Sequence, residues 1–236
     1  MVSRRNFVLS TAAVSVASVM TTTAATAQDA CAVFTSARQQ STSPEAALQL
    51  LKDGNTRFVA GKTVNCDLLA QVRATSTGQA PFAAIVGCID SRVPPELVFD
   101  QRIGDVFAAR IAGNFVNDDI IGSLEFATKV AGAKAIIVLG HTECGAIKGG
   151  VDGAKLGLLT KMLENFSPAI EASRAVEGAR TSKNKKLVQA VADANAVLAA
   201  KKLTDRSDVL RELVQQKQLI IAAAMHDIGT GAVKFL

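Results

Sequence analysis

Four largely apolar runs, at 82–87, 106–111, 135–140 and 219–225, punctuate the chain, with Arg110 the one charged residue among them. Each is short enough for a strand and too uniformly apolar to alternate, which is the pattern of a strand buried on both faces. Around them the apolar positions recur at helical spacing. Over Pro44–Val59 the residues Ala47, Leu48, Leu51 and Phe58 share a stripe, with Ser43 placed to cap the helix and Pro44 at its first position. Similar patterns run over 118–130, 156–174, 185–202 and 207–216. Alternating strands and helices predict an α/β fold, a mainly parallel β-sheet flanked by α-helices. The 236 residues are 49% hydrophobic, and neither a Pro-, Gly- or Ser-rich linker nor an internal repeat divides them. One domain over 28–236 is expected.

The first 27 residues read as a targeting segment. Ser3-Arg4-Arg5-Asn6-Phe7-Val8-Leu9 is similar to a twin-arginine export signal, and Ala25-Thr26-Ala27 has the form of a cleavage site. Periplasmic localisation of a mature chain starting at Gln28 follows as an expectation. The stretch 7–28 is only mildly apolar and rich in hydroxyls, so no stable membrane anchor is expected. The net charge of +5 is spread out, and its densest cluster, Lys183, Lys185 and Lys186, reads as a solvated helix start. With no Trp, no Tyr and no basic stripe, no nucleic-acid partner is expected.

The candidate chemistry sits in two short segments. Cys88-Ile89-Asp90-Ser91-Arg92 follows the first apolar run and His141-Thr142-Glu143-Cys144 follows the third, in a chain with only four Cys and two His. Both segments fall at carboxyl ends of predicted parallel strands, where open α/β sheets hold their ligands. Two thiolates and an imidazole suit a tetrahedral Zn2+, one per subunit, with the fourth position left to water or to a carboxylate. Asp90 has two readings. It accepts a hydrogen bond from a zinc-bound hydroxide and orients it, with Arg92 holding the carboxylate, or it swings onto the metal and closes the site. Because two thiolates cancel the charge of the ion, the bound water is less acidified than at an all-imidazole site, and activity should favour alkaline pH. The second histidine, His226, has two readings, a proton shuttle or a residue packed at a sheet edge or subunit interface. Cys31 and Cys66 also have two: a disulfide stapling the N-terminal tail to the loop after the first helix, or a free Cys31 with a partly buried Cys66.

The two segments together resemble the β-class carbonic anhydrases. The likeness runs from the helix near Leu48 through Cys88-Ile89-Asp90-Ser91-Arg92-Val93-Pro94-Pro95-Glu96, Arg110-Ile111-Ala112-Gly113-Asn114 and His141-Thr142-Glu143-Cys144-Gly145 to the C-terminal Asp227-Ile228-Gly229-Thr230-Gly231. It implies a zinc enzyme for the reversible hydration of carbon dioxide to bicarbonate, with Cys88, His141 and Cys144 as ligands and Asp90 with Arg92 as the catalytic pair. It further implies substrate contacts from Gln79, which typically reaches the site of a partner subunit, from Phe107 and from Gly145, in a homodimer or tetramer. Members of the family with an allosteric bicarbonate site have a Trp where this chain has Ile85, together with an Arg and a Tyr. This chain has no Tyr, and Arg110 alone cannot rebuild that pocket, so weak or absent bicarbonate inhibition is expected. Two rival readings keep the metal: a hydrolase of carbonyl sulfide or carbon disulfide on the same fold, and a non-catalytic periplasmic zinc-binding protein.

Overall fold

The computed structural model describes residues 31–236. The stretch expected to be a twin-arginine signal, its expected cleavage site and Gln28 lie outside the described residues. Four parallel strands, β1 (Ala83–Gly87), β2 (Val106–Arg110), β3 (Ala135–His141) and β4 (Ile220–His226), join a short antiparallel β5 (Val233–Phe235) in one sheet of order β2-β1-β3-β4-β5. The central strands β1 and β3 are buried at every position, as their unbroken apolar runs require.

Helices cover both faces. On one face, α1 (Ser36–Ser41) is followed by α2 (Pro44–Val59), in which the Ser43 side chain accepts from Ala46 N and Pro44 opens the first turn. Its Ala47 and Leu51 pack with Ile85, Ile137, Leu139 and Phe99. This helix therefore covers its own sheet. After it come α3 (Leu68–Thr75) and the single turn α4 (Pro95–Val98). The opposite face carries α5 (Asp118–Glu125), α6 (Gly145–Val151), α7 (Gly157–Leu163), α8 (Ser167–Ala172), α9 (Lys185–Arg206) and α10 (Asp208–Gln215). Leu187, Val191, Ala196 and Leu203 of α9 meet Val86, Ile136 and Val138 from the sheet.

Two helices expected from periodicity are interrupted. The 118–130 pattern is α5 followed by a π-helical segment, Phe126–Val130. The 156–174 pattern is α7, a 3₁₀ turn at Glu164–Phe166, and α8. Pro168 explains this break, because it lacks an N–H and its ring clashes with the carbonyl four residues back. A disulfide joins Cys31 and Cys66, with Cα atoms 5.5 Å apart, which decides between the two readings of those cysteines in favour of the staple. Among the described residues no helix is long and apolar enough to cross a membrane.

Candidate metal centre

The parallel topology brings the carboxyl ends of β1 and β3 side by side, pairing Gly87 with Leu139. Cys88 leaves β1 immediately after that pair, and His141 is the last residue of β3. The chain then reverses through Glu143, which adopts φ +58, and Cys144 stands as the N-cap of α6. Thr142 fixes this turn by donating its N–H to His226 O at 3.0 Å and accepting from Ile228 N at 3.1 Å. The donor atoms of Cys88, His141 and Cys144 all lie within 4.8 Å of one another, and all three residues are buried.

These donors fit a zinc ion. The two sulfurs are 4.0 Å apart, against roughly 3.8 Å for two thiolates on a tetrahedral Zn2+ with bonds near 2.3 Å. His141 Nδ1 lies 2.9 Å from Thr142 O, so it donates there and Nε2 presents its lone pair to the cluster. That Nε2 is buried with no hydrogen-bond partner, a costly arrangement for a polar atom unless a cation accepts the lone pair. The two thiols titrate as a pair: the hydrogen bond from Cys144 favours a Cys88 thiolate, with help from His141 and the Gly113 amide, and Cys144 retains its proton well above the usual thiol range. Displacing that shared proton is what a divalent cation would do.

Asp90 stands beside the cluster and is held by Arg92. Arg92 Nε donates to Oδ1 at 2.9 Å, Nη2 to Oδ2 at 2.7 Å, and the Arg92 amide to Oδ1 at 3.0 Å. The Arg92 hydrogen bonds keep the Asp90 carboxyl well below the ordinary carboxylate range, so it is ionised at any working pH. Its Oδ2 is 3.9 Å from His141 Nε2, next to the donors but paired with Arg92.

Three supporting residues went unassigned in the sequence. Arg110, ending β2, donates from Nε to Cys88 O at 2.9 Å and from Nη2 to Asp90 O at 2.6 Å. Gly113 N donates to Cys88 Sγ at 3.2 Å, and Asn195 Nδ2 on α9 donates to Gly113 O at 2.8 Å. A buried Asn on the apolar face of α9 was a readable signal for the last contact.

Gln79 and Phe107 are not brought to the cluster within one chain, whereas Gly145 adjoins it. Gln79 is exposed ahead of the amino end of β1, and Ala83 to Cys88 alone spans roughly 17 Å of strand. Phe107 pairs with Ala84 near the amino end of the edge strand β2. It lines an open groove of about 780 Å³ with Leu124, Phe126 and Ala127. Gly145 opens α6 directly after Cys144 and is exposed, and a Cβ built there meets nothing within 4 Å. His226 is not at the sheet edge, the place one of its readings gave it. It is buried inside the sheet, in register with His141 on one side and Val233 on the other, and its Nδ1 has no partner. Burial, then His141, pushes its pKa down.

Fold and donors together define a thiolate–imidazole metal centre at the carboxyl edge of a parallel sheet, with an ionised carboxylate held beside it. A model of the carbonic anhydrase family matches residues 83–233, and the chain belongs to that family. Carbonic anhydrase 2 of Mycobacterium tuberculosis is 39% identical over 135 residues, 55% of this chain and 65% of the relative, so the match spans less than two thirds of that protein. Among solved structures, the β-carbonic anhydrase CafA of Aspergillus fumigatus superposes with a TM-score of 0.64 at 26% identity, covering 81% of this chain and 89% of that one. A tetrameric β-carbonic anhydrase of Sordaria macrospora superposes with a TM-score of 0.61 at 26% identity, covering 71% and 89%.

Proposed function

We propose that this protein catalyses the reversible hydration of carbon dioxide to bicarbonate and a proton, using Zn2+ held by Cys88, His141 and Cys144. The observation that carries the reading is the orphaned His141 Nε2 facing two thiols, with Asp90 beside them but engaged by Arg92. Bound zinc would supply a Lewis acid that makes water nucleophilic at mildly alkaline pH. Asp90, ionised throughout, would accept a hydrogen bond from the attacking oxygen, keeping its own charge, and so aim a lone pair at the carbon. Arg92 keeps that carboxylate charged and turned to its task. Gln79 and Phe107 act from a second copy of the chain, the amide donating to a developing carboxylate oxygen and the ring keeping the pocket dry. Gly145 leaves room for the substrate beside Cys144. A homodimer is thus the smallest complete unit in this reading, and the tetrameric relative supports association.

Export through the twin-arginine route to the periplasm belongs to the same proposal. It is supported by the Cys31–Cys66 disulfide, which suits an oxidising compartment. Bicarbonate inhibition is expected to be weak, because Ile85 is fully buried and Arg110 is already engaged by two carbonyls. Stopped-flow carbon dioxide hydration by zinc-quantified protein from pH 6.5 to 9, beside Asp90→Ala at equal zinc, tests the catalytic reading. Activity rising with pH and collapsing in the variant is expected. A zinc-loaded oligomer inactive at pH 9 would refute it.

A further inference from the structure

We propose that Arg110 is a positioning residue that fixes the direction of Asp90, keeping its carboxylate on Arg92 and off the Cys88–His141–Cys144 donors. Arg110 ends the edge strand β2, paired with Gly87 of β1. Its side chain reaches past the last rung of the sheet and grips two carbonyls two residues apart, Cys88 O through Nε at 2.9 Å and Asp90 O through Nη2 at 2.6 Å. The residue between them, Ile89, is 60% exposed. Beyond Gly87 the strand ladder ends; Cys88 is held by burial in the core and Asp90 O also accepts from Val93 N at 3.1 Å, and the guanidinium adds a side-chain tie that spans both carbonyls.

The consequence is directional. A rigid planar fork spanning both carbonyls fixes the orientation of the intervening peptide planes, and with them the Cα–Cβ direction of Asp90. Asp90 Oδ2 stands only 3.9 Å from His141 Nε2, so a modest turn of this segment would carry the carboxylate among the donors. Arg92 opposes that turn through the side chain, and Arg110 opposes it through the backbone. Lysine cannot replace Arg110 here, because an ammonium is a point donor without a fixed fork.

The inference deepens the catalytic reading and rests on it only for its kinetic meaning; the test is made on the metal. Wild type, Arg110→Lys and Arg110→Gln are loaded with Co2+, and azide is titrated at fixed pH while the visible cobalt bands are followed. With Asp90 released onto the cation, the open position is lost, and the azide Kd is expected to rise at least tenfold in both variants. Adding Asp90→Asn is expected to restore the azide affinity of Asp90→Asn alone, which a loss of general stability would not do. Azide affinity within twofold of wild type in both variants would overturn the proposal. So would a loss that persists with Asp90→Asn, and so would failure of both variants to retain cobalt, which would put Arg110 in the construction of the metal centre. Because the readout is ligand exchange, a wild type without hydration activity would sink the functional reading and leave this test intact.

Discussion

Replacing Gly113 by alanine should damage the protein in two ways that can be measured separately. Gly113 sits at φ +79, and a Cβ built on it would lie 2.3 Å from Phe166 Cζ and 2.7 Å from Cε1. Phe166 is fully buried and stacks edge-on with Phe115, so it has little room to retreat. The left-handed backbone costs an L-residue about 1–2 kcal/mol, and overpacking a filled core adds about 1–3 kcal/mol. A combined loss near 3 kcal/mol lowers the melting temperature of a domain of this size by roughly 6–12 °C. Calorimetry on metal-saturated protein at one fixed protein concentration is the assay, since both variables shift the midpoint. Phe166→Leu in the Gly113→Ala background should recover the steric part and leave the backbone part, giving a coupling of about 1–2 kcal/mol in the double-mutant cycle. A midpoint within about 2 °C of wild type, or no coupling to Phe166, would refute the reasoning.

Three further outcomes are expected. Asn195→Ala leaves the Gly113 carbonyl without its buried donor and loosens the amide that supports Cys88 Sγ. Metal affinity should fall about tenfold, the usual effect of losing an outer-shell partner, in a competition titration against a chelator. Removing the Cys31–Cys66 bond in the Cys31→Ala/Cys66→Ala double variant opens a loop with a sequence separation of 35. The chain-entropy estimate is just under 4 kcal/mol, so urea unfolding should show a loss of about 2–4 kcal/mol. Asp152, whose carboxyl is held below its ordinary value by the Ser182 hydroxyl and then the Ser182 amide, ties the end of α6 to the segment before α9. Its folded pKa lies below its unfolded one, so its contribution is present above the unfolded value and fades as pH falls through the folded value. The urea midpoints of wild type and Asp152→Asn should therefore differ near neutrality and converge in acid, and a gap that widened in acid would contradict the tie.

Strands β1 and β3 were legible because a strand covered by helices on both faces has no polar position to confuse the pattern. The metal donors were legible because scarce Cys and His stood at the ends of those strands. The interruptions were harder to read, since 156–174 keeps a helical period across a proline and a period carries no information about a local 3₁₀ turn. Helix α6 carries three glycines in seven residues and gave no propensity signal. Strand β5, three residues long, is made by pairing with β4, so it exists only in the folded chain. Arg110 was visible as a residue but not as a clamp, because its partners are backbone carbonyls, which have no signature in a sequence. Likewise His226 drew notice for its chemistry, while its place opposite His141 depends on a strand register that spacing does not reveal.

The separation between Gln79 and the donors of its own chain gives the proposed reading its sharpest trial. If the glutamine serves a neighbouring subunit, a chain lacking it still carries an intact Asp90, and a chain lacking Asp90 still carries a useful Gln79. Gln79→Ala and Asp90→Asn proteins, each nearly inactive alone, should then complement when subunits are exchanged. In a two-fold dimer, random mixing of equal amounts makes half of the dimers mixed, and each mixed dimer holds one whole site of two, so about one quarter of wild-type activity should return. A glutamine acting within its own chain predicts no recovery, because every site would then lack one residue or the other. Zinc content measured on the same mixtures separates failed complementation from lost metal. The exposed position of Gln79, before roughly 17 Å of strand leading to Cys88, favours the exchange outcome.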